Sequence, residues 1–260
     1  MFNNFFNVFY RGIAKPIRDK IKYSRIEIDH IFDINVGGFQ FKMTFKDYPL
    51  DPYIIERIEG VREPETTIMM KSIVKKGFKV LELGGCYGYF TMILSKCVGS
   101  EGKVISVEGT PNTFDILKTN MELNKVENVE IYNYFITKKS KIFFEKNEIN
   151  PYNAMKRNNS NLILKREYKE VQTIMLSDFL INQIKFIPDF IFMDIEGYEI
   201  FVLKDLLQNF ITLKRAPIIA FETHEPFYKG KNLAYILQNL SNKGYYIRRA
   251  RNILLFPNFV

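Results

Sequence analysis

From Lys79 onward the chain alternates short apolar runs with stretches of helical period, and no other feature narrows its fold as far. The apolar runs are Lys79 to Leu83, Lys103 to Val107, Val129 to Phe135, Phe190 to Met193 and Ile218 to Phe221. Between them, helical patterns cover about 88 to 97, 112 to 124, 199 to 209 and 232 to 243. Short, nearly continuous apolar runs read as strands buried on both faces, and strands that alternate with helices pair in parallel. The expected fold class is therefore α/β, a doubly wound and mostly parallel sheet covered by helices. The closing segment G-Y-Y-I-R-R-A-R-N-I-L-L-F-P reads as two strands joined by a short polar turn, an antiparallel hairpin on one edge.

The region before Lys79 has a different texture. Residues 26 to 46 alternate apolar and polar around Gly37-Gly38, the pattern of a β-hairpin, and 51 to 76 read as helical with breaks near Gly60 and Pro64. Residues 1–70 are thus expected to form a helical and hairpin extension, and 71–260 the main domain. In a chain of 260 residues, 47% hydrophobic, a large domain plus a small extension is within reach. Phe2, Phe5, Phe6, Phe9, Ile13, Ile17 and Ile21 recur at helical spacing, interleaved with Arg11, Lys15, Arg18 and Lys22. Such a basic amphipathic helix either docks on the body of its own chain or lies on an anionic membrane surface. Lys146 to Glu170 offers few positions for burial and reads as a surface excursion, either a lid or a solvated basic loop.

Composition excludes more than it assigns. Lys and Arg number 37 against 29 Asp and Glu, and the net charge of +8 favours anionic surfaces without naming a partner. Cys86 and Cys97 are the two cysteines, so a disulfide framework is not expected and a reducing compartment fits. No apolar run reaches the roughly 18 to 20 residues of a membrane span, and no secretory leader is visible. The expected location is cytoplasmic, with peripheral membrane contact if residues 1–22 lie on a bilayer.

The chemistry begins at the end of the first of these strands, where V-L-E-L-G-G-C-Y-G-Y-F places Gly84, Gly85 and Gly88 in a strand-to-helix turn. Ligands of open α/β sheets bind at the C-terminal ends of the strands, and this turn is a favoured place. Gly84 and Gly85 are expected to allow positive φ, and Gly88 close helix packing. The spacing is G-G-x-x-G rather than G-x-G-x-x-G, and Glu82 stands just ahead of it. An acidic residue there disfavours a pyrophosphate and favours a cationic ligand. The next strand ends at Glu108, placed to accept hydrogen bonds from both hydroxyls of a ribose. Adenosine carrying a cation instead of a phosphate is S-adenosylmethionine.

These segments resemble a known family. L-E-L-G-G-C-Y-G-Y-F, V-I-S-V-E-G-T-P-N-T-F-D-I-L-K-T-N and F-I-F-M-D-I-E-G-Y-E-I-F-V-L look like the FkbM family of class I S-adenosylmethionine-dependent methyltransferases, with D-x-E-G-x-E the most specific part. V-Q-T-I-M-L-S-D-F-L and I-I-A-F-E-T-H add support, and the resemblance covers about residues 60 to 225. It implies a seven-stranded, Rossmann-like sheet and O-methylation of hydroxyls on saccharides, glycolipids or other small molecules. The cofactor-binding residues it implies here are Glu82, Leu83, Gly84, Gly85, Cys86, Tyr87, Gly88, Glu108, Gly109 and Asp194. The chain departs from the family where Glu82 replaces the usual Asp, Cys86 the usual Asn and Met193 a common Lys.

Asp194 and Glu196 emerge at the end of F-I-F-M, Glu199 opens the following helix, and Glu222 and His224 follow the next strand. O-methylation of an alcohol benefits from a base within hydrogen-bond reach. His224 is the first choice for that base and Asp194 the second, with Glu196 and Glu222 completing the catalytic set, and Glu199 reads as a structural residue of its helix. A loop histidine bonded to backbone is the competing reading of His224. No metal is assigned to these carboxylates. Two other functions are compatible with the chain: an RNA methyltransferase, favoured by net charge and the Lys156 to Lys169 loop, and a non-catalytic adaptor docking through residues 1–22. Against RNA stand the lack of a recognisable RNA-binding module and of an N-P-P-Y-type segment.

Overall fold

The computed structural model describes residues 30–138, 142–145, 168–209, 216–224, 228, 233–249 and 252–257. The amphipathic stretch 1–22 and all but the last residues of the 146–170 excursion lie outside the described residues. The chain divides into two compact units between Pro64 and Glu65.

In the first unit, β1 (Ile31–Val36) and β2 (Phe39–Thr44) form the expected antiparallel hairpin. Gly37 and Gly38 both take positive φ, at 56° and 84°, as a two-residue turn that follows strand twist requires. Burial alternates strictly along β1, with Phe32, Ile34 and Val36 inside. The helix α1 (Pro52–Ile58) starts at Asp51, whose carboxylate caps Ile54 N–H at 2.8 Å.

The helix α2 (Pro64–Ile73) starts at the last residue of the first unit, and the second unit continues with β3 (Lys79–Leu83), α3 (Tyr89–Val98), β4 (Lys103–Val107), α4 (Pro111–Leu123) and β5 (Val129–Tyr132). Four short strands follow: β6 (Phe135–Ile136), β7 (Ile142–Glu145), β8 (Tyr168–Val171) and β9 (Thr173–Ile174). After α5 (Leu176–Asp178), continued by a π-helical turn Phe179–Ile184, come β10 (Phe190–Met193), α6 (Glu199–Asn209), β11 (Ile218–Phe221), α7 (Leu233–Asn242), β12 (Tyr245–Arg249) and β13 (Ile253–Pro257).

Seven strands make one sheet in the order β12-β13-β11-β10-β3-β4-β5, parallel except for the antiparallel β12-β13 hairpin at one edge. This is the doubly wound, Rossmann-like fold of class I methyltransferases. β6 pairs with β9 and β7 with β8 as separate two-stranded pieces. The side-chain period of two gives the sheet two apolar faces. Leu81, Leu83, Ile105, Val107, Ile191, Met193, Ile219 and Phe221 pack with α5, α6 and α7. Val80, Val104, Phe190 and Phe192 occupy the other parity, where Phe90 of α3 meets Phe192 edge-on at 5.7 Å.

The run Val129 to Phe135, expected as one strand, is broken after Tyr132. Asn133 Nδ2 donates to Glu108 O at 2.8 Å there, so the chain turns from the sheet ladder to the loop that carries Glu108. The order of succession reverses between the parallel neighbours β3 and β10, from which successive strands grow to opposite edges. The C-terminal side of such a crevice is where ligands bind.

Candidate active site

Register builds the site. Leu83 pairs with Val107 on one side and with Met193 on the other, and Met193 pairs with Phe221. The next residue of each strand is therefore delivered to the same edge: Gly84, Glu108, Asp194 and Glu222. Their amides extend the ladders, with Gly84 N–H donating to Val107 O, Asp194 N–H to Leu83 O and Glu222 N–H to Met193 O at 2.8 to 3.0 Å.

The glycine turn fits between these ends with little room to spare. Gly84 has φ +93°, and a Cβ on it would stand 2.0 Å from the Asp194 carbonyl oxygen. Any side chain would push β3 and β10 apart at the point where the site is built. Gly85, expected to supply positive φ, does not take it; the left-handed residues are Gly84, Cys86 at φ 50° and Gly88 at φ 92°. Gly85 is glycine for space, since a Cβ there would meet Ser106 Oγ at 2.2 Å.

Glu82 takes the parity of Val80 and is therefore turned under α3 rather than toward the edge. It is fully buried, and its Oε2 accepts from Thr91 Oγ1 at 2.5 Å and Ser106 Oγ at 2.6 Å. Its Oε1 has no hydrogen-bond partner among the described residues. Burial pushes this carboxyl up to about 7, against the two hydroxyl donors and with a further push from Glu108. Glu82 backs the turn from beneath, where sequence reading expected it to face the ligand.

Glu108 is also buried and clamps the turn. Its Oε2 accepts from Cys86 N–H at 2.8 Å, and its Oε1 from Thr110 N–H at 2.7 Å and Thr113 Oγ1 at 3.0 Å. Burial raises its pKa while these donors act in the opposite sense. Cys86 is half-buried and joins the clamp through its amide. Leu83 and Tyr87 are buried, and Asn120 Nδ2 holds the Tyr87 carbonyl at 2.8 Å. Gly109 lies against Phe135, with a Cβ position 2.7 Å from the ring, and Phe135 meets Tyr198 edge-on at 4.7 Å. No spacing in the sequence pointed to that aromatic pair.

Across the edge, His224 gathers the carboxylates. Its Nδ1 lies 2.8 Å from Glu199 Oε1, and its Nε2 lies 3.5 Å from Asp194 Oδ1 and 3.7 Å from Glu196 Oε2. Glu199 is 0% exposed and also accepts from Ile195 N–H at 3.1 Å and Gly197 N–H at 3.0 Å. A carboxylate only accepts, so Nδ1 carries the hydrogen and Nε2 faces Asp194 and Glu196. The backbone of His224 is held by Tyr228, whose hydroxyl accepts its N–H at 2.8 Å. Burial disfavours charge on this imidazole, but the Glu199 bond and charge, then Asp194 and Glu196, outweigh it and raise its pKa to about 9. Glu196, at φ 52°, is a non-glycine in the left-handed region at the mouth of this cluster.

A crossover sheet with a glycine turn clamped by a buried acid at its switch point is the architecture of class I methyltransferases. The chain matches the family model "Methyltransferase FkbM domain" over residues 82–247 and belongs to that family. Among curated proteins it is similar to a protein-L-isoaspartate O-methyltransferase of Thermotoga maritima, 44% identical over 114 residues, which are 39% of this chain and 36% of that protein. A protein-L-isoaspartate O-methyltransferase of Methanothrix thermoacetophila is 32% identical over 91 residues, 34% of this chain and 42% of that one. The chain spans less than half the length of either relative. A solved structure of a SAM-dependent methyltransferase from Aquifex aeolicus aligns with TM-score 0.40 at 18% identity, over 74% of this chain and 86% of that one.

S-adenosylmethionine is the cofactor of this family. The residues present fit it. The turn is closed to a Cβ at Gly84, Glu82 keeps beneath it a buried oxygen that has no partner among the described residues, and two carboxylates back a place where a cation is favoured over a pyrophosphate.

Proposed function

We propose that the chain methylates a hydroxyl of a saccharide, glycolipid or other small molecule. The reading rests on one observation: Asp194, Glu196, Glu222 and His224 occupy the strand edge beside the glycine turn, with the Asp194 main chain against Gly84. The cofactor, when bound, supplies a methyl carbon activated by a cationic sulfur. Leu83 to Gly88 and Gly109 would hold it, with Glu108 fastening the turn through Cys86. An acceptor hydroxyl must lose a proton as its oxygen takes the methyl group, and that proton goes to a base of the edge. At neutral pH the imidazole of His224 already holds its proton, so the acceptor of a second one is a carboxylate, Asp194 or Glu222. His224 then balances the clustered negative charge and orients it.

The relatives' names point to a second oxygen nucleophile, the carboxylate of L-isoaspartate in proteins. The products differ in chemistry: an ether survives mild alkali and a carboxyl methyl ester does not. The purified protein and methyl-labelled S-adenosylmethionine are supplied with separated glycan, lipid, RNA and protein fractions of the source cell. Alkali-stable label in glycan or lipid is expected. Label confined to protein and released by alkali, or confined to RNA, overturns the hydroxyl reading.

A further inference from the structure

We propose that Asp194, Glu196 and His224 form a divalent-cation site, of the Mg²⁺ or Mn²⁺ type, that recognises an acceptor carrying a second oxygen next to the hydroxyl to be methylated. The proposal rests on the methyltransferase reading of this edge and names what would bind there beside the acceptor. It goes beyond the sequence reading, which assigned no metal to these carboxylates: the fold adds a histidine nitrogen that the D-x-E-G-x-E segment does not contain.

Distances carry the argument. One donor atom from each of the three residues lies within 4.8 Å of the others. The gaps from Nε2, 3.5 and 3.7 Å, are too long for good hydrogen bonds. They are the separations expected of donors around one ion. With bonds of about 2.1 Å, neighbouring ligands of an octahedron stand about 3 Å apart and opposite ones about 4.2 Å. Closing these gaps takes shifts of a few tenths of an ångström in side chains that are 14 to 26% exposed.

The surroundings are those of a metal histidine. Ligating imidazoles usually donate their other ring N–H to a carboxylate, which fixes the tautomer and aims the free nitrogen. Glu199 does this from a fully buried position, where the Ile195 and Gly197 amides hold it in place. One nitrogen and two carboxylates form a hard, oxygen-rich set, suited to Mg²⁺ or Mn²⁺ and leaving positions open for a bidentate ligand. A cation bound there takes the position that the Nε2 proton holds in its absence. Glu222, from the adjacent strand end, is then the carboxylate left to receive the acceptor's proton. A vicinal diol or an α-hydroxy carboxylate is the acceptor chemistry that such a site selects.

Mn²⁺ titration of the full chain, followed by loss of the free-ion paramagnetic resonance signal, tests the site. One ion per chain is expected, with affinity at least tenfold weaker in Glu196→Gln and in His224→Ala. Glu199→Gln keeps all three donors, loosens the aim of Nε2, and is expected to weaken Mn²⁺ about 10- to 100-fold. Glu196→Gln, on a partly exposed side chain, keeps the test decisive if the His224 variant fails to fold. Cofactor binding is measured in the same samples by calorimetry. Absence of Mn²⁺ binding, or binding that ignores Glu196→Gln, overturns the cation site while cofactor binding leaves the methyltransferase reading standing. Mn²⁺ bound at the triad in a chain that does not bind the cofactor has the opposite meaning: the site stands and the reading of the turn falls.

Discussion

At the scale of single residues, Glu82 shows how a sheet's period of two converts a motif position into an energetic one. The side chain emerges on the α3 face and is sealed there with Thr91 and Ser106. Its carboxyl sits at about 7 in the folded protein, above its ordinary 4.5. Below 4.5 both folded and unfolded chains hold the proton, and this group leaves stability unchanged. Between 4.5 and 7 the unfolded chain gives the proton up first, so stability falls as pH rises, and the loss is complete above 7. The full difference is about 3 kcal/mol. Glu82→Gln is expected to flatten this part of the stability profile in urea titrations from pH 4.5 to 8. A cationic cofactor favours the ionised form, so calorimetric affinity for S-adenosylmethionine is expected to rise with pH up to about 7 in the native chain and to stay level in Glu82→Gln.

Glu108 has a separate role at this scale. It holds Cys86, Thr110 and Thr113 together, and Glu108→Ala is expected to weaken cofactor binding at least tenfold by calorimetry. An unchanged affinity would place the cofactor elsewhere.

At the scale of elements, Asp205 of α6 is a joint. Its carboxylate is buried, accepts Ser177 N–H at 2.8 Å and Ser177 Oγ at 3.0 Å, and also takes Asn209 Nδ2 at 2.7 Å. Asp205→Ala leaves the first turn of α5 without its acceptor and is expected to cost about 2 to 4 kcal/mol in denaturant unfolding. This joint was not legible in the sequence, because Ser177 and Asp205 are 28 positions apart. The long periodic elements were legible: β3, β4, β10 and β11 match their apolar runs, and α6 its helical span. The π-helical turn Phe179–Ile184 and the two-residue strands β6 and β9 were not, since so few residues carry no period. The strand-end residues Gly84, Glu108, Asp194 and Glu222 could be placed at one edge because parallel strands end together. The contact of His224 with Glu199, and the burial of Glu82, depend on side-chain direction. A run buried on both faces conceals that direction, as β3 does with four buried residues in succession.

At the scale of the whole molecule, charge and class of acceptor can be separated. The chain carries +8, and none of its described helices is long and apolar enough to cross a membrane. If the acceptor is a small hydroxyl compound, methyl transfer is expected to change less than threefold between 50 and 200 mM salt, on the order of ordinary screening. An RNA acceptor held through six or more phosphates would lose roughly a thousandfold in affinity over that range. Initial rates on a fixed acceptor across that range distinguish the two.

The abutment of Gly84 on the Asp194 carbonyl has a kinetic meaning as well. On the proposed reading, the turn that would receive the donor and the residue that would meet the acceptor form one packed unit, so settling the first would position the second. Binding should follow a compulsory order, donor first and demethylated donor last. Product-inhibition plots are then expected to show S-adenosylhomocysteine competing with the methyl donor and acting non-competitively against the acceptor, a pattern that Gly84→Ala would disturb even where folded protein is recovered.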